Sequence, residues 1–302
     1  MSAGIGTGGG LAGPADILVA PVAGAAPDRD LPYWRMLAAR PGFIIGVTIL
    51  LFWIVCALFG SSFAPHSPYA QQLLAVNQPP SGAHWFGTDQ LGRDVFSRVL
   101  VGARSILVVA PLATVLGTVL GTILGLALGY LGGTLDMLVG RLVDAVLAVP
   151  AVIVAFLFIV AVGASAATEI LVIGFIFTPL IARTVRSAVQ VESQLDYLPA
   201  ARLLGENRLR VMFAEILPNV MPTVLVEFTV RLGYAIFTVA TLAFLGFGVD
   251  PSTPSWGSDI YTNYGVIGAG YWWETLFPAL AIASLVMAIN LVADSIERVL
   301  AG

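Results

Sequence analysis

The residues with the strongest spacing signal in this chain suit a docking contact or an ordinary helix–loop–helix, and they carry no reacting group. Between two long apolar runs lies a polar interlude, 195–219, in which Pro199-Ala200-Ala201-Arg202 is followed by Gly205 and later by Leu217-Pro218. Pro199 fits the first turn of a helix, where a missing N–H is no loss. The alanine pair lets another surface come close, and Gly205 ends the helix or turns the chain. A short, blunt helix of this kind is either a docking handle or part of an ordinary helix–loop–helix. Downstream, Leu209, Met212, Phe213 and Ile216 recur at helical intervals, with Arg208, Arg210 and Glu215 elsewhere around the helix. That amphipathic pattern suits a segment lying along a membrane surface. Leu217-Pro218 then closes the segment, and Asn219 starts the next apolar run.

Other chemistry is scarce. All 14 basic residues are Arg, and without Lys no phosphate-cradling loop ending Gly-Lys-Ser/Thr exists, so any ATP is hydrolysed by another polypeptide. The two histidines, His66 and His84, suggest no Ser/His/Asp set and lack metal-ligand spacing, so they read as ordinary loop residues and no metal is expected. The single Cys56 lies in an apolar run and reads as packing. A net charge of only -4 argues against a nucleic-acid partner.

The elements that position these residues are membrane spans. Of 302 residues, 58% are hydrophobic and 11% charged, which excludes a soluble domain and predicts an all-α integral membrane protein in a lipid bilayer. Residues 1–30, rich in Gly, Ala and Pro, read as a flexible cytoplasmic tail. Residues 31–64 hold an N-terminal transmembrane helix, 65–104 an external segment with an interfacial helix, and 105–302 a five-helix core that includes the loop 191–219. The six transmembrane helices are expected near Gly42–Phe59, Ser105–Tyr130, Met137–Val162, Ile170–Ala188, Val220–Phe247 and Trp272–Ala293. Arg35 and Arg40 place the N-terminus in the cytoplasm, and an even number of crossings returns the C-terminus there. Arg141, Arg183, Arg186, Arg202, Arg208, Arg210 and Arg298 agree with that topology. Arg93, Arg98 and Arg104 fall outside, so a structured external element with carboxylate partners such as Asp94 is expected around them.

Inside the spans, Gly117, Gly121, Gly125 and Gly129 put small residues on one helix face, either as a packing seam or as part of a permeation path. Pro150, Pro179, Pro222 and Pro278 either kink helices around a cavity or make plain bends. Glu227 and Arg231 stand at helical spacing with Glu first. They either neutralise each other along one helix or line the translocation pathway.

Two further segments carry a more specific signal. In the first, Gly87-Thr88-Asp89-Gln90-Leu91-Gly92-Arg93-Asp94 leads to Ser97-Arg98 and Gly102-Ala103-Arg104. Thr88 or Asp89 is suited to capping an interfacial helix, with Arg93, Asp94 and Arg98 available for salt bridges. In the second, Leu245-Gly246-Phe247-Gly248 leads to Pro254-Ser255-Trp256-Gly257. Its Gly and Pro residues suit a rigid outer hairpin, and Trp256 suits a membrane interface or a binding-protein contact. The first segment resembles the C-type permease subunit of dipeptide and oligopeptide import systems, and the second resembles that family's Pro-Ser-Trp-Gly turn. The loop around Ala200-Ala201 resembles the cytoplasmic loop of ATP-binding-cassette import permeases, with Pro199 where Glu is usual and Glu215 where Ile is common.

The resemblance covers the chain from about Pro32 onward. It implies a type I importer permease fold in a bacterial inner membrane, with a cytoplasmic coupling helix formed by Pro199, Ala200, Ala201, Arg202 and Gly205 and closed by Leu217 and Pro218. It also implies an external face built on Gly87, Thr88, Asp89, Gly92, Arg93, Asp94, Pro254, Ser255, Trp256 and Gly257. The implied partners are a second homologous permease subunit, two ATPase subunits or domains that bind ATP and Mg, and an external substrate-binding protein. Peptide is the implied cargo. Nickel chelates, glutathione or another small solute are the alternatives within the family, and an ion-driven secondary carrier or a non-transporting scaffold are the alternatives outside it.

Overall fold

The computed structural model describes residues 33–195, 205–248 and 252–300. The expected tail 1–30 and the positions Pro199, Ala200, Ala201 and Arg202 lie outside them, as does the hairpin tip at 249–251. The regular structure of the described residues is helical, apart from an isolated bridge between Thr88 and Asp94.

A short helix α1 (Tyr33–Ala38) precedes α2 (Pro41–Phe63), which starts with Pro41 in its first turn, where the lost N–H costs nothing. A long connection with one 3₁₀ turn (Leu73–Ala75) leads to α3 (Val95–Leu131), the central rod of the bundle. Gly132 and Gly133, at φ +59 and +63, turn the chain into α4 (Gly133–Leu147). Then α5 (Ala151–Val162) follows across an 84° bend at Pro150, and α6 (Ala166–Glu192) begins at a Ser165 cap. The helix Arg208–Phe247, which kinks at Gly246 (φ +85), is α7, a short α8 (Trp256–Asn263) follows, and α9 (Trp273–Leu300) is the last described helix. Five helices are long and apolar enough to cross a membrane, and the bent pair α4–α5 makes a sixth crossing.

The glycine row explains why that bent pair must cross. A Cβ on Gly117 would lie 2.8 Å from Phe177 Cβ, on Gly121 2.7 Å from Ile181 Cβ, on Gly125 2.8 Å from Val185 Cβ, and on Gly129 2.7 Å from Val189 Cβ. These distances are too short for any side chain, so the row is a packing seam at which the α3 and α6 backbones touch. The partner numbers rise together, so α3 and α6 run parallel. The chain between them has to return to the end from which α3 started, which makes α4–α5 a broken span and excludes a re-entrant loop.

One end of the bundle holds the start of α2, the end of α3, the end of α6 and the start of α7. Gly42 lies beside Leu291 and Ser295, while Tyr130 and Leu131 share a cavity wall with Glu206 and Arg208. There Arg186 grips Asp136 with two hydrogen bonds, Nε to Oδ1 at 2.5 Å and Nη2 to Oδ2 at 2.7 Å, tying α6 to α4. The described flanks of the 191–219 segment, the end of α6 and the start of α7, therefore lie at the end that carries both described termini.

Several boundaries move. The expected interfacial helix capped by Thr88 or Asp89 is not separate: Asp94 caps α3, its carboxylate accepting from the Ser97 N–H at 2.8 Å, and the helix runs on through Arg98 and Arg104. The division drawn between 104 and 105 thus falls inside α3. A distant partner, Asp259, neutralises Arg98 and lets the charged stretch continue as part of the same helix. Likewise Leu217-Pro218 does not close the polar segment. Residues Val211–Ile216 form a π-helical turn, in which the Leu217 N–H bonds to the Met212 carbonyl, and the wider ring accommodates Pro218 inside a continuous α7. The amphipathic stretch does not lie wholly along a surface. Val211, Met212 and Ile216 are buried in the bundle, and only Leu209 and Phe213 face outward. Of the four prolines, Pro150 marks a sharp bend, whereas Pro179, Pro222 and Pro278 sit inside helices that continue through them.

Candidate functional site

The far end of the bundle is a folded clasp built almost entirely from the residues assigned to the external face. Gly87, at φ +74, lets the chain pass where a Cβ would lie 2.5 Å from the Gln78 carbonyl and 2.6 Å from Trp273 Nε1. Gly92, at φ +68, makes a comparable approach to Gln72. These two positions need glycine for both conformation and space. Thr88 is buried, its hydroxyl donating to the Ala75 carbonyl and accepting from the Gln78 N–H, while its own carbonyl accepts from Trp273 Nε1 at 3.1 Å. Asp89 receives the Arg93 Nε at 2.6 Å and the backbone N–H groups of Leu91 and Arg93.

Across the clasp, Arg98 bonds Asp259 Oδ1 through Nε at 2.8 Å and Nη2 at 2.5 Å, and donates Nη1 to the Pro68 carbonyl at 3.0 Å. This joins α2's exit, α3 and α8 at one buried guanidinium. Burial pushes the Asp259 carboxyl above its ordinary range, and Arg98 pulls it back. Trp256 is fully buried: its Nε1 donates to the Val99 carbonyl at 2.8 Å, its ring fills the space left by Gly102, and it meets Trp53 edge-on at 4.7 Å.

The expected roles shift accordingly. Gly87, Thr88, Asp89, Gly92, Arg93, Asp94, Pro254, Ser255, Trp256 and Gly257 come together at one end, but all are buried. They therefore build the clasp and do not present a face to a partner, and Trp256 is a core residue without access to a membrane interface or a binding protein. Asp94 was expected to pair with arginine. It instead caps α3 and faces His84 and His66, while Arg93 and Arg98 take Asp89 and Asp259. The two histidines are consequently not independent loop residues. Asp259 and the histidine meeting were missed because 161 residues separate Arg98 from Asp259 and no local spacing signals such contacts.

At the opposite end, Gly205 has φ +77, a left-handed conformation that glycine adopts at no steric cost. Asn207 caps α7 by accepting from the Leu209 N–H, and Glu206 reaches Arg210 Nε at 3.4 Å. Leu217 packs on the core, and Pro218 is exposed. Within α7, Glu227 and Arg231 neutralise each other, Arg231 Nε standing 2.9 Å from Glu227 Oε2. Glu227 Oε1 also accepts from the Thr184 hydroxyl at 2.8 Å, so the pair ties α7 to α6 as well.

Residues 117–301, more than half of the chain, match the family described as the inner membrane component of binding-protein-dependent transport systems. The chain belongs to this family. Residues 33–80 match the N-terminal transmembrane domain of oligopeptide transport permease C. The dipeptide transport system permease protein DppC of Bacillus subtilis is 35% identical over 267 residues, covering 88% of this chain and 83% of that protein. Its namesake in Escherichia coli K12 is 37% identical over 274 residues, covering 89% and 91%. The di/tripeptide transport system permease protein of Pseudomonas aeruginosa is 34% identical over 274 residues, covering 89% and 90%.

Proposed function

We propose that this permease is the membrane subunit of an ATP-driven importer that carries di- and oligopeptides across a bacterial inner membrane, with both termini in the cytoplasm. It pairs with a second, related permease to enclose the path, takes cargo from an external binding protein and is driven by two ATPase subunits. The chain itself does no bond chemistry: ATP and Mg belong to the ATPases. The observation that carries the reading is α7, a helix of 40 residues that begins just past Gly205 and ends, through a kink at Gly246, beside the clasp. At 1.5 Å per residue such a rod is about 60 Å long, enough to link a push at one membrane surface to a rearrangement at the other.

In this mechanism the segment Pro199, Ala200, Ala201, Arg202 and Gly205 sits in a groove of an ATPase. Closure of the ATPases displaces it, and α7 follows as a lever because no flexible joint lies between them beyond Glu206 and Asn207. The π-helical turns Val211–Ile216 and Ala243–Phe247 bracket the rod, and the wider π geometry makes them the compliant points at which it rocks. The α3–α6 seam moves as a block, since its backbones touch along four glycines.

The test is uptake into proteoliposomes holding the complete transporter, with labelled dipeptide, with and without ATP. Uptake that needs ATP and fails in Ala201→Glu supports the reading. Accumulation driven by a proton or sodium gradient without ATP would replace it with an ion-driven carrier. Related importers that carry metal chelates or glutathione are separated by identifying the ligand that co-purifies with the binding protein.

A further inference from the structure

Two histidines and an aspartate that the transport cycle leaves unused meet in the connection between α2 and α3. His66 follows the end of α2, His84 lies midway along the connection, and Asp94 caps α3. One ligand atom from each lies within 4.8 Å of the others. His84 Nδ1 stands 2.8 Å, and His66 Nδ1 3.7 Å, from the same oxygen, Asp94 Oδ1. The other carboxylate oxygen is already committed, accepting the Ser97 N–H at 2.8 Å and the Ser97 hydroxyl at 2.7 Å. His84 and Asp94 are 7% and 3% exposed, and His66 Nδ1 is buried without a hydrogen-bond partner.

Proton sharing does not satisfy this arrangement. A donor from His84 uses the near oxygen, and a nitrogen 3.7 Å away is beyond hydrogen-bond range. A cation at the centre satisfies all three atoms together. Zinc bonds His nitrogen and carboxylate oxygen at about 2.0–2.2 Å in a tetrahedron, which puts its ligand atoms roughly 3.3 Å apart. The two separations from Asp94 Oδ1, 2.8 and 3.7 Å, straddle that value, the third lies within 4.8 Å, and the partly exposed His66 sits on an irregular connection with room to close in. The nearby arginines are engaged, Arg93 with Asp89 and Arg98 with Asp259. A supporting shell is present too, because the Ser97 hydroxyl holds Asp94 and accepts the His66 backbone N–H at 3.3 Å.

We propose that His66, His84 and Asp94 bind a divalent transition-metal ion of the zinc class, with water completing the shell. The ion pins the α2–α3 connection, which among the described residues has one 3₁₀ turn and little other regular structure, directly onto the cap of α3. It acts as a staple of the clasp and takes no part in bond chemistry.

The experiment titrates Zn²⁺ alone, against a chromophoric competitor, into the full-length chain in lipid nanodiscs after chelator stripping. Wild type, His66→Ala and His66→Cys are compared. Wild type is expected to hold one more zinc per chain than His66→Ala, with affinity at that site at least about 10-fold higher, since losses in the outer shell alone cost 10- to 100-fold. His66→Cys regains zinc, and with Co²⁺ it gives a thiolate-to-cobalt absorption band, because a thiolate is a competent ligand for both ions. That band carries the test if His66→Ala fails to fold. Equal zinc stoichiometry and affinity in wild type and His66→Ala, no zinc bound by wild type, or no cobalt–thiolate band in His66→Cys would each overturn the proposal.

Discussion

Replacing Arg98 by Met isolates the physics of the clasp. The substitution keeps most of the aliphatic stem and removes the guanidinium, leaving Asp259, 3% exposed, as a buried charge without its main partner. Breaking one side of a buried pair costs about 3–5 kcal/mol, whereas replacing both sides by apolar groups is close to neutral or better. At about 2–4 °C per kcal/mol for a chain of this size, Arg98→Met should lower the melting temperature by roughly 6–20 °C. The assay is built into the protein: Cys56, the chain's single cysteine, is 4% exposed, so a thiol-reactive fluorophore in nanodiscs reports unfolding.

The pH dependence supplies an independent check. Burial already pushes the Asp259 carboxyl above its ordinary range and Arg98 opposes it, with Arg93 lowering and Asp89 raising it further; loss of Arg98 leaves burial less opposed. A carboxyl raised in the folded state binds more protons there than in the unfolded chain. Its penalty is complete above the folded value and fades as pH falls toward the unfolded value near ~3.9. The deficit of Arg98→Met should therefore be larger at pH 8 than at pH 5, and the double variant Arg98→Met/Asp259→Leu should recover most of it. A deficit below about 1 kcal/mol, equal deficits at the two pH values, or a double variant as unstable as the single one would refute the argument.

Other outcomes follow from the same geometry. Gly121→Ala should destabilise by about 1–3 kcal/mol, because its Cβ would stand 2.7 Å from Ile181 Cβ on a helix that cannot retreat, while Gly140→Ala, with nothing within 4 Å, should stabilise by about 0.5–1 kcal/mol; thermal unfolding of both reads the contrast. Reversing both charges, Glu227→Arg with Arg231→Glu, keeps an ion pair. If the pair lines the pathway, peptide uptake falls while assembly persists; unchanged uptake assigns it to self-neutralisation. Trp256→Phe keeps the ring packing against Trp53 but removes the indole's bond to the Val99 carbonyl, which retains its place in the α3 ladder, so a loss of about 0.5–1.5 kcal/mol is expected in the Cys56 assay.

Much of the architecture was legible in the residues. Long apolar runs cannot be anything but spans in a chain with 11% charged residues, and glycines four apart mark a face where backbones meet whatever the partner is. Glu227 and Arg231 were readable for the same reason, because a helix fixes their separation. The path of α3 was not. A polar run containing Arg93, Arg98 and Arg104 looks like an external element, and only the arrival of Asp259 makes Arg98 tolerable inside a continuous helix. The π turn at Val211–Ile216 was hidden as well, since Leu-Pro reads as a stop until a widened ring accommodates it.

The sequence by itself determined the all-helical membrane class, the row of small residues on one face of α3, the presence of a polar segment between two spans and the family resemblance, because each depends on composition or on spacing within one element. Tertiary structure decided that α3 and α6 run parallel, that Trp256 and the conspicuous Gly-Thr-Asp and Arg-Asp residues turn inward, and that His66, His84 and Asp94 meet. Those outcomes rest on side chains far apart in the chain sharing a buried volume, and local periodicity carries no information about which distant charge will answer a buried one.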